Sequence, residues 1–382
     1  MRLIHLAGYG GPYPGSFIPM LRAVMGAAER RGWSREAVFT PVSRERAWLG
    51  ELEEDGIPYR FSPEGASRRD LTAWVTGVLA EDDGPAVLHT HFTAFDVAAA
   101  LAGSKRERTA VVWHIHTPHF KGAAAFARNY LTYATFGRRA DQILCVSTEL
   151  VETVTRRGAP RAKVEFLHNA VDVDRFPLLT NDQRRAARDE LGLPAAPPLL
   201  VHFGWDWMRK GGDLFAETVR RLREAGTDVT AATVGGGDAA RELAARLGLG
   251  DELVVLEPTD RVQQMYAAAD VFVAPSRAEG TPYSVLEALS SGTAAVVSDI
   301  PGHQLVGEHV PACVIAPLDP APMADAITSL LARDLAQVDA DSLAGHAWLR
   351  EHLGLGRWAE DMVDRYERLL GRGAGVDARA AA

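Results

Sequence analysis

The feature that most constrains this fold is an alternation, kept up along nearly the whole chain, of short apolar runs with longer amphipathic stretches. In the first half the short runs fall at Arg2–Ala7, Glu36–Thr40, Ala86–His89, Thr109–His116, Gln142–Ser147 and Val164–Leu167. Between them, stretches such as Phe17–Arg31 and Glu149–Arg157 repeat apolar residues at helical spacing. Strands that take turns with helices predict parallel sheets covered by helices. A second series runs through Leu199–Phe203, Asp228–Val234, Leu253–Leu256, Val271–Ala274, Ala294–Ser298 and Ala312–Ala316. The polar stretch LLTNDQRRAARDELGLPAAPP separates the series and ends in Gly192 and a proline cluster, which reads as a linker. The expectation is an α/β chain of two doubly wound, Rossmann-like domains facing across a cleft. Their predicted bounds are 1–178 and 198–355, with a linker at 179–197. A last amphipathic helix is expected at 356–372, around Trp358–Leu370, packing back toward the N-terminal domain, and a flexible tail at 373–382.

Composition narrows the functions. The chain has 382 residues, 47% hydrophobic and 24% charged, which suits two ordinary cores and excludes a low-complexity chain. Cysteine occurs only at Cys145 and Cys313, so neither a disulfide framework nor a four-cysteine zinc site can form. The opening MRLIHLAGYGG lacks the basic leader, long apolar core and cleavage site of a signal peptide, and no run reaches the roughly twenty apolar residues of a membrane span. A reducing, cytoplasmic setting is expected. Net charge is −9; residues 1–180 carry 22 basic and 20 acidic side chains, the remainder 19 and 30. The acidic second half argues against nucleic-acid binding. The near-neutral first half is compatible with peripheral association at the inner face of an anionic membrane. Only four basic residues are lysine: Lys105, Lys121, Lys163 and Lys210.

The most informative stretch is VFVAPSRAEGTPYSVLEALSSG, residues 271–292. An apolar strand ends at Ala274, and Thr281 and Pro282 suit the N-cap and first position of a helix that stops at Gly292. Glu279 then lies in a loop at the carboxyl end of a strand and Glu287 on the second helical turn. The helix start around Tyr283 and Ser284 suits a phosphate, and a carboxylate on each side suits sugar hydroxyls. That layout fits a diphosphate flanked by two polyols. Taken alone, an E-x7-E pair is more often one solvated loop acid and one helix-surface acid. In the first half His89 and His91 follow one strand, and His114, His116 and His119 another. A metal site is the sharper reading of these, but two histidines without an acid seldom hold zinc. His116 and Thr117, with His91, are expected to meet substrate, while His89 and His114 are expected to point the other way. The loop GYGGPYPG lacks the spacing of a dinucleotide fingerprint.

The stretch AEGTPYSVLEALSSGTAAVVSDIPG resembles the signature of the retaining glycosyltransferase family 4, which carries an E-x7-E motif on a GT-B fold. The similarity covers most of the chain. PGSFIPMLRAVMGAAERRGW resembles the family's Gly-rich loop and first helix, with Gly15 and Ser16 in place of Gly-Gly. LHTHF and WHIHT resemble its histidine-bearing strand ends, ADQILCVSTEL its serine strand, LHNAVDVDRF its Asn-Gly-Val-Asp turn with Ala170 for the glycine, and HFGWDWMRKGGDLF its phosphate-binding segment.

The resemblance implies transfer of a sugar from a nucleotide diphosphate, most often a uridine diphosphate, to a hydroxyl acceptor: a glycan, a lipid or a small natural product. It implies an acceptor-binding first domain and a donor-binding second one, with retention at the anomeric carbon. Glu287 would bind the donor ribose and Glu279 the transferred sugar, while Gly280, Thr281 and Pro282 shape the sugar pocket. Tyr283 and Ser284 would offer N–H groups to the diphosphate, and Lys210 would neutralise it as it leaves. Glu279, His116 and Lys210 form the expected catalytic set; Gly15, Ser16, His91, His116 and Thr117 lie on the acceptor side. One departure stands out. Trp205 follows Gly204 where the family has Arg, and Arg209 is the candidate to replace the missing charge. Trp205 and Trp207 read equally well as sugar-covering rings or core aromatics. Neither a cofactor nor a metal is expected, since no D-x-D motif stands at a strand end. Other readings are a nucleotide-sugar epimerase, a sugar phosphorylase, or a non-catalytic partner that kept the fold.

Overall fold

The computed structural model describes residues 1–116 and 123–380. The chain forms two compact units: Met1–His168 with Leu355–Ala382, and Asn169–Gly354.

The first unit is built on a seven-stranded sheet: β1 Arg2–Ala7, β2 Ser34–Phe39, β3 Tyr59–Phe61, β4 Ala86–His91, β5 Thr109–Ile115, β6 Gln142–Cys145 and β7 Val164–Phe166. Their order is β3-β2-β1-β4-β5-β6-β7, all parallel. Strands buried on both faces read as near-continuous apolar runs, and β1, β4 and most of β5 are fully buried. The strand order reverses between β1 and β4, the place where open α/β sheets form a crevice. Helix Leu355–Ala380 completes this unit from the far end of the chain and covers the stretch expected as a tail. It is tied down by Arg31 to Glu360 and Asp364, by Arg365 to Glu165, and by the Trp358 indole N–H to the His168 carbonyl.

The second unit has six parallel strands: β8 Leu199–Gly204, β9 Thr230–Gly235, β10 Leu253–Leu256, β11 Val271–Ala274, β12 Ala294–Ser298 and β13 Cys313–Ala316. The order is β10-β9-β8-β11-β12-β13, with the reversal between β8 and β11. Apolar cores lie on both faces of this sheet.

The division falls at His168–Asn169 and Gly354–Leu355 rather than at 178 and 355. The expected linker is an integral helix, Asn181–Leu191, opened by a Thr180–Gln183 capping box. Two arginines fasten it. Arg188 donates to the Ala268 carbonyl at 2.7 Å and pairs with Asp270 at 2.5 Å, and Arg184 donates to Ala269 and Ser291 carbonyls. Its polar composition had masked this, because the buried contacts are made by guanidinium groups. The two points where the chain enters and leaves the second unit lie side by side: Val171 donates its N–H to the Leu353 carbonyl at 2.8 Å and pairs with Gly354 in a parallel bridge. Among the described residues no helix is long and apolar enough to cross a membrane.

Candidate functional site

In the second unit, the loops after β8 and β11 meet at the sheet's switch point. They are zipped together by backbone and side chain. The Arg277 N–H donates to the Arg209 carbonyl at 2.8 Å, the Arg277 guanidinium pairs with Asp213 and donates to the Met208 carbonyl, and the Arg209 guanidinium reaches the Ala278 carbonyl. This brings two of the expected residues, Lys210 and Arg209, onto the carboxylate of a third, Glu279. Glu279 Oε1 lies 2.6 Å from Lys210 Nζ and 3.2 Å from the Arg209 guanidinium, and accepts from Ser276 Oγ at 3.1 Å. The Glu279 and Lys210 side chains are only 10% and 15% exposed, against 40% for Arg209, whose other side pairs with exposed Asp206. Burial pushes the Glu279 carboxyl upward, but the Lys210 charge and hydrogen bond, then Arg209 and Ser276, outweigh it and hold the group below the usual carboxylate range. It is therefore an anion at neutral pH.

Helix Tyr283–Ser290 follows. Its N-cap is Pro282 in an extended conformation, not Thr281 as the sequence suggested. Thr281 sits one residue earlier, buried, and its carbonyl accepts from Asn169 Nδ2 at 2.7 Å. Tyr283 and Ser284 form the first turn, at the positive end of the helix dipole. Glu287, on the second turn, accepts from the Tyr266 hydroxyl at 2.8 Å, which fixes one of its oxygens. From the other side helix Pro301–His309 abuts the Glu279–Gly280 loop. A Cβ on Gly302 would lie 2.0 Å from the Gly280 carbonyl oxygen, so no side chain fits there. The next residue, His303, is fully buried; its Nδ1 lies 2.8 Å from the Ser298 carbonyl oxygen and its Nε2 has no hydrogen-bond partner. Burial lowers this imidazole to about 4, so it stands neutral. Trp205 is 46% exposed at the exit of β8, whereas Trp207 packs against the apolar core. The two tryptophans thus part company: one is a surface ring, the other a core aromatic.

In the first unit the strand ends carry imidazoles. His5 on β1 stands beside His89 on β4, and His91 beside His114 on β5. Side chains two apart on a strand share a face, so His5, His89, His91, His114 and His116 form one stripe, with neighbouring ring centroids 4.2–5.4 Å apart. This corrects the expectation that His89 and His114 point away from His91 and His116. His5 went unnoticed because it lies inside an apolar run. Burial lowers every imidazole of the stripe, to about 3 for His5 and His116. His91 Nδ1 lies 3.0 Å from His116 Nε2. After His91 the backbone turns through Phe92 and Thr93, both with positive φ, a conformation costly for such residues and tolerated where the surroundings impose it. Phe92 stacks on His116 at 4.7 Å. Gly15, at φ +54°, and Ser16 lead into helix Phe17–Arg30, and Phe17 packs edge-on against His91 and His116. Thr117 lies outside the described residues.

Sequence reasoning left out Asn169, Ser276, Tyr266 and His303. Asn169 and Tyr266 act through contacts distant in sequence, which no local pattern marks, whereas Ser276 and His303 bond to neighbours three and five residues away.

Comparison with known proteins agrees with this geometry. Residues 27–175 match the family described as Glycosyltransferase Family 4, and residues 197–333 that described as Glycosyl transferases group 1. A D-inositol 3-phosphate glycosyltransferase of Xylanimonas cellulosilytica is 29% identical over 81% of this chain and 80% of its own. A 2-deoxystreptamine glucosyltransferase of Streptomyces kanamyceticus is 30% identical over 62% of each chain. Among solved structures, HepE of Anabaena, crystallised with UDP and glucose, gives a TM-score of 0.78 at 18% identity, covering 96% of this chain and 99% of that one. A glycosyltransferase of Rickettsia africae gives 0.80 at 13% identity, over 97% and 98%. With two parallel Rossmann-like units of the GT-B type and matches across both, the chain belongs to glycosyltransferase family 4.

Proposed function

We propose that this glycosyltransferase is a retaining hexosyltransferase that uses a UDP-sugar and a hydroxyl acceptor. The observation that carries the reading is the Glu279 carboxylate held by Lys210 and Arg209 at the start of helix Tyr283–Ser290, with Glu287 fixed one turn on. The diphosphate then lies against Tyr283 and Ser284 at the positive helix end. Glu287 takes the ribose hydroxyls, and Glu279 takes hydroxyls of the sugar beside Gly280, Thr281 and Pro282. Lys210 has three N–H donors and gives one to Glu279, so others can meet the leaving phosphate. The bond from the anomeric carbon to the diphosphate breaks while the acceptor oxygen attaches to the same face. The acceptor proton passes to the departing phosphate. Gly15, Ser16, His91 and His116 are assigned to the acceptor side. The names of the relatives support a sugar acceptor of small, hydroxyl-rich type, and the UDP in HepE supports the carrier.

The charge work is assigned to side chains and a helix end, so no divalent cation is needed at the diphosphate. Nucleotide sugars screened by thermal shift, followed by proton NMR of the product of the stabilising donor, test the reading. A UDP-sugar should stabilise the chain, and the new linkage should keep the donor's anomeric configuration. Inversion, or a donor KM that depends on added magnesium or manganese, would overturn it.

A further inference from the structure

We propose that His5, His89 and His91 hold a transition-metal ion of the kind that prefers imidazole nitrogen, at the switch point of the first sheet. The three residues are fully buried, and one ring nitrogen from each lies within 4.8 Å of the others. Their placement follows from strand register. His5 and His89 are paired neighbours on β1 and β4, and His91 is two residues on, so all three point to the same face.

Two observations separate this triad from buried histidines that merely fill space. First, two of the triad's nitrogens are not satisfied by protein. His5 Nε2 and His89 Nε2 are buried without a hydrogen-bond partner, and so are both nitrogens of His114, next in the stripe. A buried polar atom left without a partner is costly, so several in one place ask for a ligand. Second, the Tyr366 contact can turn a lone pair of His89 toward the cluster, and the proton shared between His5 Nδ1 and His91 Nε2 is one a metal ion can displace. With His89 Nδ1–H donating to the Tyr366 hydroxyl oxygen, 2.5 Å away, His89 Nε2 presents a lone pair. That is the arrangement in which an outer hydrogen bond fixes the tautomer of a metal-ligating histidine. His5 Nδ1 and His91 Nε2 lie 2.8 Å apart. Two nitrogens on a tetrahedral zinc sphere sit about 3.3 Å apart, given Zn–N distances near 2.0–2.1 Å, so a small rotation of the rings reaches that geometry. Burial keeps the rings neutral, the form that ligates.

The donor set is all nitrogen. It excludes magnesium and calcium, which take oxygen ligands, and selects ions such as zinc, copper, nickel or cobalt. Bound there, the ion would clamp β1 to β4. Its binding is read without the transfer reaction, so this inference does not depend on the assigned reaction.

The test uses the full chain without a histidine tag, stripped with a strong chelator and dialysed against Zn2+ or Co2+ alone, with Mg2+ as control. Folded protein should take up about one Zn2+ or Co2+ and no Mg2+, and the Co2+ form should show the visible ligand-field bands of a nitrogen-bound ion. His5→Phe and His89→Phe should each weaken binding at least about tenfold. His114→Phe should leave it in place. Less than about a tenth of an ion per folded wild-type chain would overturn the proposal whatever the variants do. So would a cobalt spectrum unchanged in both His5→Phe and His89→Phe, or one lost in His114→Phe but kept in His89→Phe. Near-ultraviolet circular dichroism reports whether each variant is folded.

Discussion

The two units place their polar side chains at the same topological point, where the strand order reverses, yet the electrostatics there are opposite. In the second unit a carboxylate, an ammonium and a guanidinium are locked together, with Glu279 ionised because Lys210 and Arg209 outweigh its burial. In the first unit the stripe of five imidazoles is kept neutral by burial, reinforced at His89, His91 and His114 by the neighbouring rings, and among the described residues the clusters it forms contain no acid. The same architecture therefore offers a site of fixed charge in one half and an electroneutral, nitrogen-rich one in the other. Topology selects where ligands bind; the residues on the strand ends decide what kind.

Acid should break the comparison most forcefully. In the unfolded chain these imidazoles take up protons near 6.5, whereas in the fold His5 and His116 do so only near 3. Between those values the unfolded chain binds more protons, so stability is lost as pH falls, by about 1.4 kcal/mol per pH unit for each such imidazole. Urea titrations at pH 7, 6 and 5 should show the midpoint falling steeply. A flat profile would mean that the stripe is open to water.

Next in size is the charged cluster. Lys210→Ala and Glu279→Ala should each abolish measurable transfer, a loss of about 3–4 kcal/mol or more in transition-state stabilisation, as for a single preorganised donor. Lys210→Ala should also lower stability more than the double variant does, because the single change strands a buried carboxylate. Initial rates and urea midpoints for the three variants give both comparisons.

A third test lies in the first unit, behind the stripe. Asp96 is buried, and burial raises its carboxyl to about 7 against the pull of the Thr90 hydroxyl. A carboxyl raised in the fold favours the folded state at low pH, and that contribution is lost as pH rises from about 4 to about 7. Asp96 thus offsets one histidine. Asp96→Asn should raise stability by about 2 kcal/mol at pH 8 and steepen the acid limb by one proton, read from the same titrations.

The smallest effect concerns Trp205. Its ring is exposed, so Trp205→Arg should fold normally and restore a cation at the exit of β8. Donor KM should fall about tenfold, or 1.4 kcal/mol. No change would show that Arg209 already fills the role.

The sheets were legible in the sequence because buried parallel strands are written as short, unbroken apolar runs. Leu253–Leu256, Val271–Ala274 and Ala294–Ser298 have the expected ends. Strand β3, Tyr-Arg-Phe, is too short and too polar at its centre to stand out. The start of helix Tyr283–Ser290 was misplaced by one residue, since Thr-Pro fits a cap whether the helix begins at the proline or after it. The meeting of Lys210, Arg209 and Glu279 followed from resemblance, not from spacing. The Tyr266 support of Glu287 and the His5 end of the imidazole stripe are products of strand order, which no local pattern carries.

The bridge between Val171 and Gly354 has a practical meaning. The second unit is one uninterrupted stretch of polypeptide whose first and last residues are neighbours, whereas the first is assembled from two pieces. In genetic terms the second unit is a cassette seated within its host. It is the part that can be exchanged between relatives, or excised and joined end to end, with the least disturbance to either sheet.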